Sequence, residues 1–538
     1  MSSVCHDVEN AEGLVRKRGV VLSNPITHCS GKESQVFTLD DAIETLGFGK
    51  FHWLLLAVCG LSWWATANIV MTISILGPSL QCEWNLSMWE IAIISSMFFT
   101  GQALWSPLWG KLADIYGRKV SVVLGMLSTF YFGILSSFAP AYNWFIFLWF
   151  LIGGSASSFT QTTTLFAEFL TVKIRSRCII NFGVTWSFGM LTMIGMGVLI
   201  LPIMTWRWFI FISALPVFVI FFMTFWLPES TRYHMICGQT EKAIATLEQI
   251  SRFNGVPLPA GTLVASTKQE VLGRIKDLIV EKQRRTTLLL WFIWLVNSFS
   301  YYGMVLLTTE MMKMPNSCAV VDDVHSEASN CISPCRFLTT KDYITIMWTT
   351  FAEFPGIFIG SVTSDLLGRK PTMGLCMLIF CVCSFCLIAC LERTMITMLL
   401  FVGRGMILAS FMTLYVYTPE VHPTGIRALG IGTCVACSRV GTILTPFVAQ
   451  VVSTRVAAAI YASLALLACI SVLFLPKETK GQRLQDSSVG HSLRLEMMTD
   501  GEAPLEKCTP HVSKNVNGQS SSGLSLKSRI AAVRESTI

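Results

Sequence analysis

Asp114-Ile115-Tyr116-Gly117-Arg118-Lys119 returns, half a chain later, as Asp365-Leu366-Leu367-Gly368-Arg369-Lys370. Two further pairs follow at nearly the same offset. Glu168 precedes Arg175 as Glu420 precedes Arg427, and Pro228-Glu229-Ser230 answers Pro476-Lys477-Glu478-Thr479. Three matches at a common offset mark a duplicated unit. Glycine at 117 and 368 lets the backbone turn sharply between consecutive helices, while the aspartate and the Arg-Lys pair bond across helices or onto exposed helix ends. Such networks can latch two halves in one arrangement and release them in another. The plainer alternative, charges that only set topology and touch lipid, is the simpler reading of a single loop; duplication at matching offsets favours the conformational one.

The unit repeated is a membrane unit. Of 538 residues, 52% are hydrophobic and only 14% charged, against about 25% charged in an average soluble domain. This excludes a conventional soluble enzyme and an intrinsically disordered chain, because too few charges remain to cover a water-facing surface. Crossing about 30 Å of hydrocarbon takes about 20 apolar residues in a helix. Such runs lie near Phe51–Gly77, Trp89–Gly110, Val120–Ala139, Trp144–Ala167, Cys178–Ile203, Trp208–Leu227, Thr287–Met311, Tyr343–Ser364, Pro371–Leu391, Met395–Tyr417, Arg427–Val452 and Val456–Leu475. The expected fold class is therefore an all-α membrane protein of twelve transmembrane helices in two six-helix pseudo-repeats.

Basic residues orient it. Lys111, Arg118 and Lys119, then Lys173, Arg175 and Arg177, then Arg369 and Lys370 fall in loops on one side, against Arg207, Arg393 and Arg455 on the other. The positive-inside bias puts both termini in the cytoplasm. The net charge of +7 has the same origin, so no nucleic-acid partner is expected. Met1 to Lys50 holds Asp7, Glu9, Glu12 and Arg16-Lys17-Arg18 but no long apolar core, so no cleavable signal peptide is expected and insertion should begin at the first span. The organisation expected is a disordered tail over 1–37, six-helix halves over 38–227 and 287–481, a cytoplasmic central loop over 228–286, and a disordered tail over 482–538. Thr38 to Leu46 reads as a capped interfacial helix, and Thr240 to Asn254, with Ile244, Leu247 and Ile250 on one face, as an amphipathic helix ended by Gly255.

Of 18 cysteines, Cys376, Cys381, Cys383, Cys386 and Cys390 share one predicted helix, where spacing suits small interior hydrophobes rather than a metal site. Cys82, Cys318, Cys331 and Cys335 lie on the outer side, the last three in a luminal loop over 312–342 with Asp322, Asp323 and Glu327. They allow three disulfide connectivities. Asn85-Leu86-Ser87 is an outer glycosylation sequon close to the membrane.

With those loop signatures, the chain resembles the major facilitator superfamily over the whole membrane region. Pro228-Glu229-Ser230-Thr231-Arg232 and Pro476-Lys477-Glu478-Thr479-Lys480-Gly481 are similar to its sugar-porter and organic-ion branch. Gly47-Phe48-Gly49-Lys50-Phe51, Ala243-Ile244-Ala245-Thr246-Leu247 and Tyr417-Thr418-Pro419-Glu420-Val421 are most similar to the synaptic-vesicle-related members of that branch, and the likeness runs from about Phe37 to Gln485. The resemblance implies alternating access around a site near the midplane, and residence in a synaptic or other secretory vesicle membrane.

Ionisable groups inside spans are the default site candidates. Glu353 lies twelve residues before Asp365, Arg404 thirteen before Tyr417, and Arg439 twelve after Arg427. Each stands about 18–20 Å from its cytoplasmic helix end, so the three share a level. Either Glu353 forms a structural ion pair with one arginine, or all three face one cavity whose surplus positive charge favours an anionic or zwitterionic ligand. Asn297-Ser298-Phe299-Ser300-Tyr301-Tyr302 resembles a sugar-porter segment, but Trp291 and Phe292 stand where those transporters place two glutamines. A hexose would lose partners for its hydroxyls, so a flatter or more apolar ligand is expected; helix packing explains the aromatics equally well. Asn68 and Gln161 are the polar candidates of the first and fourth spans. Relatives carry acids in the first span and an arginine in the fourth, where this chain reads Thr66, Asn68 and Trp149. Glu353 thus remains the central titratable group.

The function expected is secondary active or facilitative transport of a small organic solute, with or without a coupling ion, by a functional monomer in the bilayer. No Walker-type signature and no catalytic cluster is present in the sequence, and no enzyme activity, cofactor or metal is expected. The alternative is a transporter-like protein that binds a ligand or partner without net flux.

Overall fold

The computed structural model describes residues 36–264, 275–313 and 338–480. Among these, ten continuous helices are long and apolar enough to cross a membrane. They run Lys50–Trp84, Met88–Tyr116, Arg118–Ser137, Val172–Ile200, Trp206–Thr224, Glu281–Lys313, Arg369–Cys386, Arg393–Val421, Thr424–Pro446 with a following π-turn, and Thr454–Leu473. The fourth and eighth spans, expected as unbroken runs, are each made of two pieces. Tyr142–Ala156 and Thr160–Glu168 are joined through a 3-10 turn at Ser157–Phe159, and Thr340–Phe351 and Glu353–Leu366 meet at Ala352. With these two the count is twelve.

The interruptions have local causes. Pro355 has no amide hydrogen and its ring crowds the carbonyl of Phe351, so the helical ladder slips one turn upstream, at Ala352. In the fourth span the hydroxyls of Ser157 and Thr160 accept no ladder role but donate to Gly154 O and Ser157 O, at 2.7 and 2.9 Å, which tightens the turn. The eighth span also packs against the tenth more closely than any side chain allows. A Cβ on Gly356 would stand 2.3 Å from the carbonyl oxygen of Gly405, and this small-residue contact brings the backbones together.

Position in the bundle follows burial. In the seventh span 72% of the apolar window is buried, against 33% in the sixth, so the seventh is an interior helix and the sixth a peripheral one. The two halves meet along three seams. Ser74 of the first span and Thr309 of the seventh share a hydrogen bond of 2.6 Å; Ser96 of the second donates to Ile443 O of the eleventh at 2.7 Å; Ser187 of the fifth donates to Glu353 of the eighth at 2.7 Å.

Beside the bundle, on the face that carries the repeated loops, sits a small platform. Thr38 caps the helix Leu39–Leu46, and Asp41 returns a bond to the Thr38 backbone. The Thr38 hydroxyl and amide hold the Asp41 carboxyl below its ordinary value. The helix Thr240–Asn254 buries Ala243, Leu247 and Ile250 and ends at Gly255, whose φ is +72°. Asn254 Oδ1 accepts from the Phe51 amide at 3.0 Å, Arg232 reaches Asp40 at 2.5 Å, and Val36–Phe37 pairs in parallel with Thr262–Leu263.

Candidate functional site

The repeated motifs build the same corner twice. The third span starts at Arg118, directly after Gly117 with φ +102°, and the ninth at Arg369, after Gly368 with φ +108°. The first amides of a helix have no partner inside it. Glu229 accepts from Arg118 N at 2.9 Å and Lys119 N at 3.2 Å, and Glu478 from Arg369 N at 2.8 Å and Lys370 N at 2.9 Å. Glu478 also accepts from the amides of Thr479 and Lys480. Burial pushes the Glu478 carboxyl up, but the four amides outweigh it and hold the group below the usual carboxylate range.

Around each helix start a charge cluster ties spans together. Arg118 pairs with Asp114 and stands 3.7 Å from Glu168; Arg369 stands 3.8 Å from Asp365 and 3.1 Å from Glu420, which also accepts from the Thr479 hydroxyl at 2.6 Å. Lys119 donates to Phe225 O at 2.7 Å, and Lys370 to Leu475 O. Glu168 and Glu420 thus meet the motif arginines Arg118 and Arg369. The Arg175 side chain lies outside the described residues. Every bond just named stays within one six-helix half.

At the seam the three expected central charges divide. Glu353 and Arg404 are both fully buried, and Arg404 Nε donates to Glu353 Oε1 at 2.8 Å. Tyr301 donates to the same oxygen at 3.1 Å and Ser187, from the other half, to Oε2 at 2.7 Å. Trp186 Nε1, also from the other half, donates to the Tyr301 hydroxyl at 2.6 Å. Arg439 does not join this group. Its Nη1 donates to Gln102 Oε1 at 2.6 Å, across the seam between the eleventh and second spans. Of the two arrangements expected, Glu353 makes the ion pair with Arg404, next to the close approach of the eighth and tenth spans at Gly356 and Gly405, and Arg439 stands apart from it. Tyr301, which holds Glu353, meets Tyr302 edge-on at 5.2 Å.

Aromatic rings surround this region. Trp63 stacks on Phe182 at 5.6 Å and meets Trp186 and Tyr415 edge-on, and Phe99 meets Tyr302 at 5.0 Å across the seam. Trp291 donates to Thr433 at 3.0 Å. Asn297 is buried, with Nδ2 on Ser410 at 3.0 Å, and so belongs to the interior of its own half. Asn68 bonds the Trp64 carbonyl and accepts from Thr192, Thr66 bonds the Ser62 carbonyl, and Trp149 packs against Phe98 and Phe145. Gln161 is half-buried on the second piece of the fourth span.

On the opposite face Asn85 is exposed and ends the first span in the left-handed region, with φ +50°. Cys82 is disulfide-bonded, as expected. So is Cys390, which corrects its assignment to a helix interior: the helix ends at Cys386 and Cys390 lies in the turn beyond it. Cys318, Cys331 and Cys335 lie outside the described residues. No group of three metal-ligating side chains occurs among the described residues.

Sequence reasoning missed Gln102, Ser187 and Trp186. Gln102 was legible, as an amide within an apolar run; Ser187 was not, since intramembrane hydroxyls commonly bond their own helix, as Ser187 also does to Gly183 O.

Residues 54–489 match the family described as sugar (and other) transporter. The chain is 45% identical to the synaptic vesicle 2-related protein of Bos taurus over 455 residues, which cover 84% of this chain and 83% of that one. Against the protein of that name from Xenopus laevis the identity is 43% over the same length, with the same coverage. Among solved structures, the partially occluded inward open conformation of the xylose transporter XylE from E. coli aligns with a TM-score of 0.62 at 15% identity, covering 81% of this chain and all of that one, 100%. That likeness speaks for the fold alone, and the sequence relatives speak for the lineage. The chain belongs to the sugar (and other) transporter family of the major facilitator superfamily.

Proposed function

We propose that the protein moves a small organic anion or zwitterion across a vesicle membrane by alternating access, both termini lying in the cytoplasm and the seam between the halves forming the path. The observation that carries this reading is the split of the central charges. Glu353 is occupied by Arg404, so the Arg439 guanidinium stands at the seam with a neutral amide as its hydrogen-bond acceptor. A positive charge in a low-dielectric interior without a matched anion is costly, and a ligand carboxylate relieves that cost. Trp291 and Phe292 offer a hexose little, while the rings around Tyr302 offer an apolar body a surface. The duplicated corners keep each half rigid, and the relatives' printed names support the vesicle location.

Purified full-length protein in proteoliposomes, given a pool of isotope-labelled metabolites, provides the test. Accumulation of organic acids or zwitterions, absent in a correctly folded Arg439→Gln variant, is the expected result. Uptake of hexoses alone would sink the ligand class.

A second reading, binding without flux, is favoured by one observation. Thr66 and Asn68 are bonded to their own helix backbone, and Trp149 is locked among aromatic rings, so the centre of the first half holds no titratable carrier in those positions. Specific binding without accumulation would establish it.

A further inference from the structure

We infer that Gln102 is an exchangeable placeholder for the substrate's carboxylate: it holds Arg439 across the seam, and the entering anion displaces it, so that ligand binding itself unfastens the second span from the eleventh. This rests on the reading of Arg439 as the anion-facing group. Three cross-half contacts line this seam in register. Trp89 packs on Phe447 at 5.9 Å, Ser96 donates to Ile443 O at 2.7 Å, and Gln102 accepts from Arg439 Nη1 at 2.6 Å. Of the three, the last alone involves a charge, and there a guanidinium meets a neutral carbonyl rather than an anion.

The geometry makes the exchange competitive. A carboxylate binds a guanidinium through two adjacent N–H groups, either along the Nε–Nη2 edge or along the Nη1–Nη2 edge. Arg439 Nε is sealed from solvent and has no hydrogen-bond partner among the described residues, while the residue as a whole is partly accessible. An anion that reaches Arg439 therefore meets the Nη1–Nη2 edge, where Gln102 already sits. Gln102 is 2% exposed, so it has no room to share the nitrogen and has to withdraw. A carboxylate brings a full negative charge and two parallel N–H···O bonds where the Gln102 carbonyl offers one bond and no charge, so a carboxylate wins the site and a neutral isostere does not. A ligand shifts a conformational equilibrium only through differential affinity, and this replacement supplies the difference: the anion binds Arg439 in the state where Gln102 has let go.

The test is hydrogen–deuterium exchange of the full-length protein in nanodiscs, read on seam peptides covering residues 87–96 and 443–453, for wild type, Gln102→Ala and Gln102→Glu. Benzoate is the anionic probe and benzamide its neutral counterpart. In the absence of ligand, Gln102→Ala should exchange faster than wild type in both peptides by about fivefold, a coupling of ordinary allosteric size. Gln102→Glu, which places a permanent carboxylate on Arg439, should exchange no faster than wild type. Benzoate should accelerate wild type towards the Gln102→Ala rate and leave Gln102→Glu unchanged; benzamide should do nothing. Should Gln102→Ala fail to fold, Gln102→Asn, too short to reach, gives the same reading. If benzoate leaves both wild-type peptides unchanged, or if the alanine and glutamate variants exchange alike, the placeholder role is overturned. Absence of any organic-acid uptake by wild type, with the seam response intact, would overturn the transport reading and leave the exchange standing.

Discussion

Arg404 donates to Glu353 at 2.8 Å with both side chains fully excluded from solvent, yet the two terminal nitrogens of the guanidinium have no hydrogen-bond acceptor among the described residues. A pair so enclosed is seldom a net gain over apolar packing, but it becomes a large liability once one member is removed. It also spans more than one helix contact, since Ser187 of the other half reaches the same carboxylate. Glu353 is thus both the counter-ion of the tenth span and an anchor between halves.

Glu353→Gln should therefore destabilise the protein by about 3–5 kcal/mol, because Arg404 keeps its charge in the interior with nothing opposite. Removing both charges in Glu353→Gln/Arg404→Met should recover most of that loss. Thermal unfolding in detergent measures both. A single variant as stable as wild type would mean that Arg404 has another counter-ion.

The Glu478 carboxylate caps the ninth helix, and its folded pKa is depressed by the amides that donate to it despite burial. A depressed carboxyl contributes stability that is present above its unfolded value, about 4.3, and is lost as pH falls through the lower folded value. The stability gap between wild type and Glu478→Gln should thus stay level from neutrality down to about pH 4.3 and close below it. Melting temperatures of the two proteins across that range provide the check, and a gap that widens with acid would contradict the amide-capping role.

Both corner glycines sit at φ values that other residues adopt with strain, but the space beside them differs. A Cβ on Gly117 would lie 2.2 Å from Glu229 Oε2, whereas one on Gly368 would lie 2.9 Å from the nearest atom of Glu478. Each alanine substitution should cost about 1–3 kcal/mol, with Gly117→Ala the larger because it also drives Glu229 off the amides it accepts from. Equal losses would show that backbone strain alone sets the cost.

What was legible in the sequence follows from what repeats and what is expensive. The duplicated Asp-Gly-Arg-Lys loops and the apolar runs gave away the twelve-helix, two-half plan, and the lone intramembrane charges at 353, 404 and 439 drew notice because hydrocarbon penalises them. Helical rise placed those three at one depth but carried no information on azimuth. Which arginine meets Glu353 depends on how the eighth span packs on the tenth, where Gly356 meets Gly405, and that contact is a tertiary fact. Gln102 was overlooked for a different reason: a neutral amide in a long apolar run is cheap enough to pass as packing. Helix ends proved equally hard to read, and Cys390 passed for an interior residue because apolar character continues beyond the point where the helix stops.

That misplacement leads to a prediction about redox state and topology together. Cys82 and Cys390 are disulfide-bonded and lie on the face opposite the charge corners, whereas Cys237 is free, exposed and on the same side as the platform helices. Disulfides persist in oxidising compartments and are rare where glutathione keeps thiols reduced. In sealed vesicles of one orientation, a membrane-impermeant maleimide applied from the platform side should label Cys237 without any reductant. Cys82 and Cys390 should stay unlabelled from that side, and should react only when an impermeant reductant and the maleimide are both given access to the other side. Peptide mass spectrometry distinguishes the three sites. Labelling of Cys82 or Cys390 without reductant would refute the bonded state, and labelling of all three from one side after reduction would refute the two-sided arrangement on which the cytoplasmic assignment of the termini depends.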